Sequence, residues 1–209
     1  MAGLFITFEG PDGSGKTTQI NILKNYLENL GLITVLTREP GGTVISEKIR
    51  QILLDNSHTE MDYVCEALLY AASRAQHVSE LIIPSLKENK IVICDRFVDS
   101  SIVYQGYGRK LGDCVKQIND IAIKGNMPDV TFLIKVDPET GKERRHVSEM
   151  DRLDLEAINY HRDVYKAYEK LEKDNPDRIT SFDGNGTISE ISKQIISRTN
   201  EILLERNII

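Results

Sequence analysis

Five short runs of the chain, residues 4–9, 33–37, 91–95, 130–136 and 179–183, are almost uninterrupted in Val, Ile, Leu and Phe. A strand with one wet face alternates apolar and polar residues, whereas a strand covered on both faces does not. The runs therefore predict five strands of a parallel sheet. Helical periodicity fills the stretches between them. The first helix begins within 10–16, and Ile20, Leu23, Leu27 and Leu30 recur at spacings of three and four, giving one buried stripe. Gly31 stands where a left-handed C-terminal cap belongs. A second long helix covers about 153–173, with Ile158, Val164, Tyr165, Tyr168 and Leu171 facing inward. The last helix opens on Thr187-Ile188-Ser189-Glu190, a capping-box pattern, and runs on through Ile191 and Ile195. Alternation of strand and helix from end to end predicts a doubly wound α/β fold: a five-stranded parallel sheet with helices on both faces. The 209 residues suit one domain spanning 1–209, and no linker divides them. Segment 140–154 breaks the pattern. It carries Lys142, Arg144, Arg145 and Arg152 among Glu143, Glu149, Asp151 and Asp154, and by pattern alone it is a solvated connection.

Composition narrows the setting. No apolar run approaches the roughly 18–20 residues needed to span a bilayer, and the N-terminus has no basic region before an apolar stretch. A cytosolic protein is expected, with no membrane partner. Cys65, Cys94 and Cys114 are odd in number and lack metal-ligand spacing, so they read as free thiols of a reducing compartment. His58, His77, His146 and His161 show neither paired helical spacing nor a neighbouring Cys, and are expected at polar surface or helix positions rather than on a metal. A net charge of −6 argues against a nucleic-acid polymer as partner, which would call for a broad basic face. It leaves room for a mononucleotide, whose phosphate needs only a few Arg and Lys side chains.

The chemistry begins at Gly10-Pro11-Asp12-Gly13-Ser14-Gly15-Lys16-Thr17, a phosphate-binding loop placed directly after a predicted strand and before an amphipathic helix. Glycines let several backbone N–H groups converge on a phosphate at the positive end of a helix. Lys16 adds a mobile charge that can follow the transferring group, Thr17 offers a hydroxyl to Mg²⁺, and Thr18 continues the loop into the helix. Triphosphate binding leaves a GTPase switch, an ATPase motor and a kinase open. The Asn-Lys-x-Asp stretch that reads guanine is missing from the sequence. A motor should end an apolar strand in two acids, yet here Asp95 is followed by Arg96. An Asp at a strand end can hold Mg²⁺ through water, and an adjacent Arg can bind a second phosphate, which suits transfer to a phosphorylated acceptor. A kinase for a different monophosphate, or a nucleotide-dependent binding module, stays open on the residues alone.

Further blocks resemble the thymidylate kinase family over nearly the whole chain. They are Thr37-Arg38-Glu39-Pro40-Gly41-Gly42-Thr43, then Glu66-Ala67-Leu68-Leu69-Tyr70-Ala71-Ala72-Ser73-Arg74, then Asp95-Arg96-Phe97, then Asp99-Ser100-Ser101-Ile102-Val103-Tyr104-Gln105-Gly106. The resemblance implies ATP-dependent phosphorylation of dTMP to dTDP, with Mg²⁺ held through Thr17 and Asp95, in a homodimer. It implies that Arg96 and Arg50 hold the dTMP phosphate and that Tyr70 lies on the thymine face. Arg74 would donate to a thymine carbonyl, Gln105 would pair with the N3–H edge, and Ser101 would line that pocket. Tyr104 would crowd a 2′-hydroxyl, while Glu39 and Pro40 would sit beside the base, Pro40 after a cis bond. Asp12 would lie near acceptor and metal, and segment 140–154 becomes a lid whose arginine closes over the transferring phosphoryl group, Arg152 matching the family pattern best. Two residues depart from that pattern. Phe97 stands in place of Tyr, and Gly184, in the adenine-side loop 181–185, in place of a small side chain.

Overall fold

Every residue of β1 (Leu4–Glu9) is buried, because this strand occupies the centre of the sheet. The computed structural model describes residues 3–144, 152, 153 and 155–209, the Lys142 side chain apart. Arg145, His146, Glu149, Asp151 and Asp154 lie outside the described residues. Five strands run parallel in the order β2-β3-β1-β4-β5: β2 is Thr34–Arg38, β3 Ile91–Asp95, β4 Val130–Lys135 and β5 Ile179–Asp183. Side chains of β1 alternate between the two helical layers. Leu4, Ile6 and Phe8 join α1 (Lys16–Asn29) and α9 (Ile188–Glu205) on one side. Phe5 joins Val78, Ile82, Phe97 and Ile123 on the other, around α3 (Tyr63–His77) and α6 (Asp113–Ile123). A third apolar group, with Tyr104, Tyr160, Val164 and Tyr168, lies under α8 (Ile158–Asp174). Such fully covered side chains stabilise the fold by about 1.5–3 kcal/mol each.

Strand order explains where a ligand can go. From β1 the chain crosses to β2 beyond β3, and from β3 it crosses back to β4 on β1's other side. The connections therefore diverge between β1 and β3, and a crevice opens beyond their carboxyl ends. Phe8 pairs with Asp95, and Asp95 with Arg38, so three strand ends reach that crevice in register.

Several local expectations change. β2 is an edge strand with Leu36 42% exposed, so it is not covered on both faces, and it begins at Thr34 with Ile33 outside and exposed. Ile20, Leu23 and Leu27 are buried on α1, but Leu30 is 44% exposed. Leu30 is the capping residue, already turned away from the stripe by the left-handed Gly31 (φ 79°). The N–H groups of Gly31 and Leu32 donate to the carbonyls of Glu28 and Leu27, which closes the helix end. Helix α8 starts at Ile158 rather than near 153. Tyr160 and Ala167 join Val164 and Tyr168 in its buried face, while Ile158, Tyr165 and Leu171 are only half-buried. The capping box at Thr187 and Glu190 forms with both of its hydrogen bonds. His77 takes the helix alternative, wholly buried at the end of α3. Cys65 and Cys114 are exposed free thiols and Cys94 a buried one. Among the described residues no helix is long and apolar enough to cross a membrane.

Further helices complete the layers: α2 (Val44–Leu54), α4 (Ile83–Lys87), α5 (Val98–Ser101) and α7 (Pro138–Glu143). Two segments, Val78–Ile82 and Ile102–Gly108, wind more widely as π-helix and continue α3 and α5 respectively. The second of these carries Tyr104 and Gln105.

Candidate active site

The loop between β1 and α1 ends at Gly15, whose φ of 92° turns the backbone into the helix. Helix α1 opens on Lys16, and its Nζ donates across the loop to Gly10 O (3.0 Å) and Pro11 O (2.9 Å), 3.9 Å from Asp12 Oδ1. Burial, and then the charge of Arg96, lowers the Lys16 pKa against the pull of Asp12, Asp95 and Glu9. Thr17 Oγ1 donates to Asp95 Oδ2 at 3.4 Å, so two side-chain oxygens meet at the end of β3. That pairing suits a hard divalent cation.

Arg96 leaves β3 with a φ of 65°, unusual for a residue with a side chain. Its guanidinium donates to Asp12 Oδ1 (2.8 Å), Ser100 Oγ (3.1 Å) and Tyr168 OH (3.4 Å), and lies over the Tyr104 ring at 5.1 Å. Burial is the largest single effect and opposes that charge, but Asp12, Tyr104, Tyr168 and Glu9 together outweigh it, and the pKa is raised well above the usual arginine value. Behind Arg96 stands Glu9. Its carboxylate accepts from Phe97 N, Ser100 N, Ser100 Oγ and Tyr168 OH at 2.8, 3.2, 2.6 and 2.7 Å. Burial, then Asp99, raises its pKa. Sequence reasoning read Glu9 only as a strand end. The available signal was an acid closing an apolar strand directly before the phosphate loop.

At the far end, Arg74 is 1% exposed. Its Nε donates to Glu39 Oε2 (2.7 Å), Nη1 to Ser101 Oγ (3.0 Å) and to Asn119 Oδ1, and Nη2 to Phe97 O (2.9 Å). His77 Nδ1 lies 2.9 Å from the other Glu39 oxygen, and its Nε2 2.7 Å from Thr37 Oγ1. Asn119 and His77 are thus part of the site's support, which the sequence motifs did not single out. Pro40 follows a cis bond, and its carbonyl accepts from Arg50 Nη1 at 2.8 Å. Phe97 packs edge-on to Phe5 in the apolar layer, with the Arg74 guanidinium over its ring at 5.4 Å.

One cavity of about 650 Å³ joins the two ends. Its wall carries all the expected substrate contacts, Glu39, Pro40, Arg50, Tyr70, Arg74, Arg96, Ser101, Tyr104 and Gln105. Of the loop, Gly10, Pro11 and Ser14 stay off the wall, the first two behind the Lys16 ammonium that their carbonyls hold. Arg144 lies on the wall and donates to Gly184 O at 3.0 Å, joining α7 to the loop after β5. Arg152 does not line it: Nη2 donates to Glu66 Oε2 (2.5 Å) and Nε to Leu53 O (3.3 Å).

Two close approaches fix this end of the cavity. A Cβ on Gly13 would meet Gly141 O at 2.2 Å, and one on Gly141 would meet Asp12 O at 2.6 Å, so α7 sits backbone to backbone on the phosphate loop. A Cβ on Gly184 would meet Val136 Cγ2 at 2.4 Å and Lys135 O at 3.0 Å. The missing side chain at 184 therefore answers to the packing of β4. Gly184→Ala should destabilise the fold by about 1–3 kcal/mol, which denaturant titration will read as a lower midpoint at unchanged slope.

The comparisons agree with this geometry. The family model described as thymidylate kinase matches residues 8–195. A thymidylate kinase of Pediococcus pentosaceus is 48% identical over 208 residues, covering 97% of this chain and all of that protein. One of Bacillus pumilus is 43% identical over 212 residues, with both chains covered in full. The crystal structure of thymidylate kinase from Ehrlichia chaffeensis matches with a TM-score of 0.78 and 35% identity over 95% of this chain and 99% of that one. With its phosphate loop, its Asp-Arg strand end and its arginine-floored cavity in one crevice, the chain belongs to the thymidylate kinase family.

Proposed function

We propose that this enzyme transfers the γ-phosphoryl group of ATP to dTMP, giving ADP and dTDP for deoxythymidine nucleotide synthesis. The observation that carries the reading is a single cavity with Lys16 and its loop at one end, Arg74 and Gln105 at the other, and Arg96 between them.

Phosphoryl transfer asks the protein for alignment and charge rather than covalent chemistry. The loop amides and Lys16 hold the donor phosphates, Lys16 exchanging its loop carbonyls for phosphate oxygens. Arg96 and Arg50 fix the acceptor phosphate in line. The Arg96–Asp12 bond keeps the guanidinium extended into the cavity until that phosphate arrives. No general base is required, because a phosphate acceptor is already ionised at neutral pH. Tyr70 lies on the base, Tyr104 crowds a 2′-hydroxyl, and Arg74 and Gln105 read the base edge, with Ser101, Glu39 and Pro40 around it. Thr17 and Asp95 would hold Mg²⁺, which when bound supplies positive charge to the donor phosphates. Segment 140–154 acts as a lid on the one domain, excluding water while its arginines add charge. Arg144, on the wall, and Arg152 are its described arginines. The working form is a cytosolic homodimer. Val44, Ile45, Val64 and Leu68 on α2 and α3 are exposed, apolar surface that a second copy would cover.

ADP release measured with ATP, Mg²⁺ and dTMP, dUMP, dCMP, dGMP or ribo-TMP offered separately tests the reading. Turnover led by dTMP supports it. Turnover led by another acceptor would keep the kinase and overturn the base pocket, and acceptor-independent ATP binding without turnover would leave a binding module.

A further inference from the structure

Glu66 is a fully buried acid on α3 that no step of the proposed reaction uses. Its surroundings are unusually complete. Oε1 accepts from Gln105 Nε2 (2.9 Å) and Arg109 Nε (3.3 Å), and Oε2 from Arg109 Nη2 (3.2 Å) and Arg152 Nη2 (2.5 Å). Arg109 is itself clamped, with its guanidinium over the rings of Tyr63 (4.3 Å) and Tyr160 (4.9 Å) and a second ion pair to Glu156 at 2.6 Å. Two guanidinium groups therefore share one buried carboxylate, and it acts as an acceptor on both oxygens.

Gln105 is 1% exposed and lines the cavity. A glutamine amide is nearly symmetric in shape but opposite in polarity at its two ends, so what it offers a ligand depends on what holds its other end. Here the donor end is turned to Glu66, which leaves the carbonyl oxygen for the cavity. Thymine and uracil present N3–H, a donor, at that edge. Cytosine presents a bare N3, an acceptor, which would face the carbonyl lone pairs. We propose that Glu66 is a specificity-determining positioning residue: it locks the Gln105 amide so that the pocket accepts N3–H pyrimidine monophosphates and refuses dCMP. This rests on the proposed reading of the cavity as a dTMP site.

The consequence of changing Glu66 to Gln follows from its neighbours. Arg109 Nη2 and Arg152 Nη2, two charged donors against Arg109 Nε alone at the other oxygen, would draw the new amide's oxygen into the Oε2 place, leaving its NH₂ beside Gln105 Nε2. Two donors cannot bond, so the Gln105 amide turns over and aims its NH₂ into the cavity. The pocket edge is then inverted, repelling N3–H and matching a bare N3. A buried polar group left unmatched is the strongest discriminator such a site has.

The test is kcat/KM for dTMP and for dCMP in wild type and Glu66→Gln. The expected result is a fall of about a hundredfold for dTMP, mainly in KM, with no fall for dCMP, so that the dTMP:dCMP ratio narrows by at least about a hundredfold. Equal losses for both substrates would mean that Glu66 only supports the fold, and would overturn the inference alone. A wild type that phosphorylates no pyrimidine monophosphate would overturn both it and the proposed reaction. Should Glu66→Gln fail to fold, the Gln105 side-chain NH₂ signal of ¹⁵N-labelled wild type decides. Slow hydrogen exchange of that group both without and with dTMP supports the lock, and exchange as fast as a free glutamine's in the dTMP complex overturns it.

Discussion

Lys16→Met lowers kcat by about a thousandfold, the scale seen when one preorganised donor to a developing charge is removed. Steady-state assay at saturating ATP and dTMP measures it. The unfolding temperature of the ligand-free protein is expected to hold, and the reason lies in the sign of the linkage. Burial depresses the Lys16 pKa in the folded state, so the unfolded chain binds that proton more tightly. Its charge therefore costs stability at neutral pH, and the cost fades as pH rises through the folded value. Methionine removes the cost while filling similar space. What Lys16→Met loses is the donor phosphate's partner, so the upward shift of the unfolding temperature by ATP should shrink alongside kcat. A variant that kept wild-type kcat would remove Lys16 from the chemistry.

Arg74→Ala has the second large effect, and it strikes stability and selectivity together. The guanidinium is engaged by Glu39, Ser101, Asn119 and Phe97 O, and Glu39 is itself buried. Removing it leaves that carboxylate without its guanidinium partner, at a cost of about 3–5 kcal/mol. For a chain of this size the unfolding temperature should drop by about 10 °C. Activity on dTMP at a temperature where the variant is folded should fall by at least about a thousandfold in kcat/KM. Arg74→Lys separates the two effects. It restores a charge beside Glu39 and so part of the stability, but one ammonium cannot serve four partners fixed for a planar fork. Full activity in Arg74→Lys would show that the fork geometry is not what the site uses.

The inner strands were legible because a covered parallel strand writes itself as a continuous apolar run: 4–9 and 91–95 match β1 and β3 to the residue, and 179–183 matches the edge strand β5 as well. Run 33–37 overstates the cover on β2, because an edge strand uses the same residue types while leaving one flank in water. The phosphate loop was legible for a different reason, since its glycines and Lys16 have to be contiguous. The supports were not. Glu9, Glu66, His77, Asn119 and Arg109 act through partners 38 to 159 positions away, and no local pattern announces a buried acid whose partner lies on another helix. The wider winding of Ile102–Gly108 was equally silent, although it is the segment that presents Tyr104 and Gln105. Segment 140–154 stands out in the sequence as a charged stretch, but Arg152's bond to Glu66 depends on where α3 lies.

The backbone contact between Gly13 and Gly141 bears on adaptation to heat. Trading glycine for alanine is a common route to a stiffer, hotter-living protein, because it trims the disorder of the unfolded chain. That route is shut at the catalytic end: a methyl at 13 or 141 would strike peptide oxygens, which cannot swing aside as a long side chain can. A lineage moving to higher temperature would have to gain its margin in the outer helices, with both glycines kept.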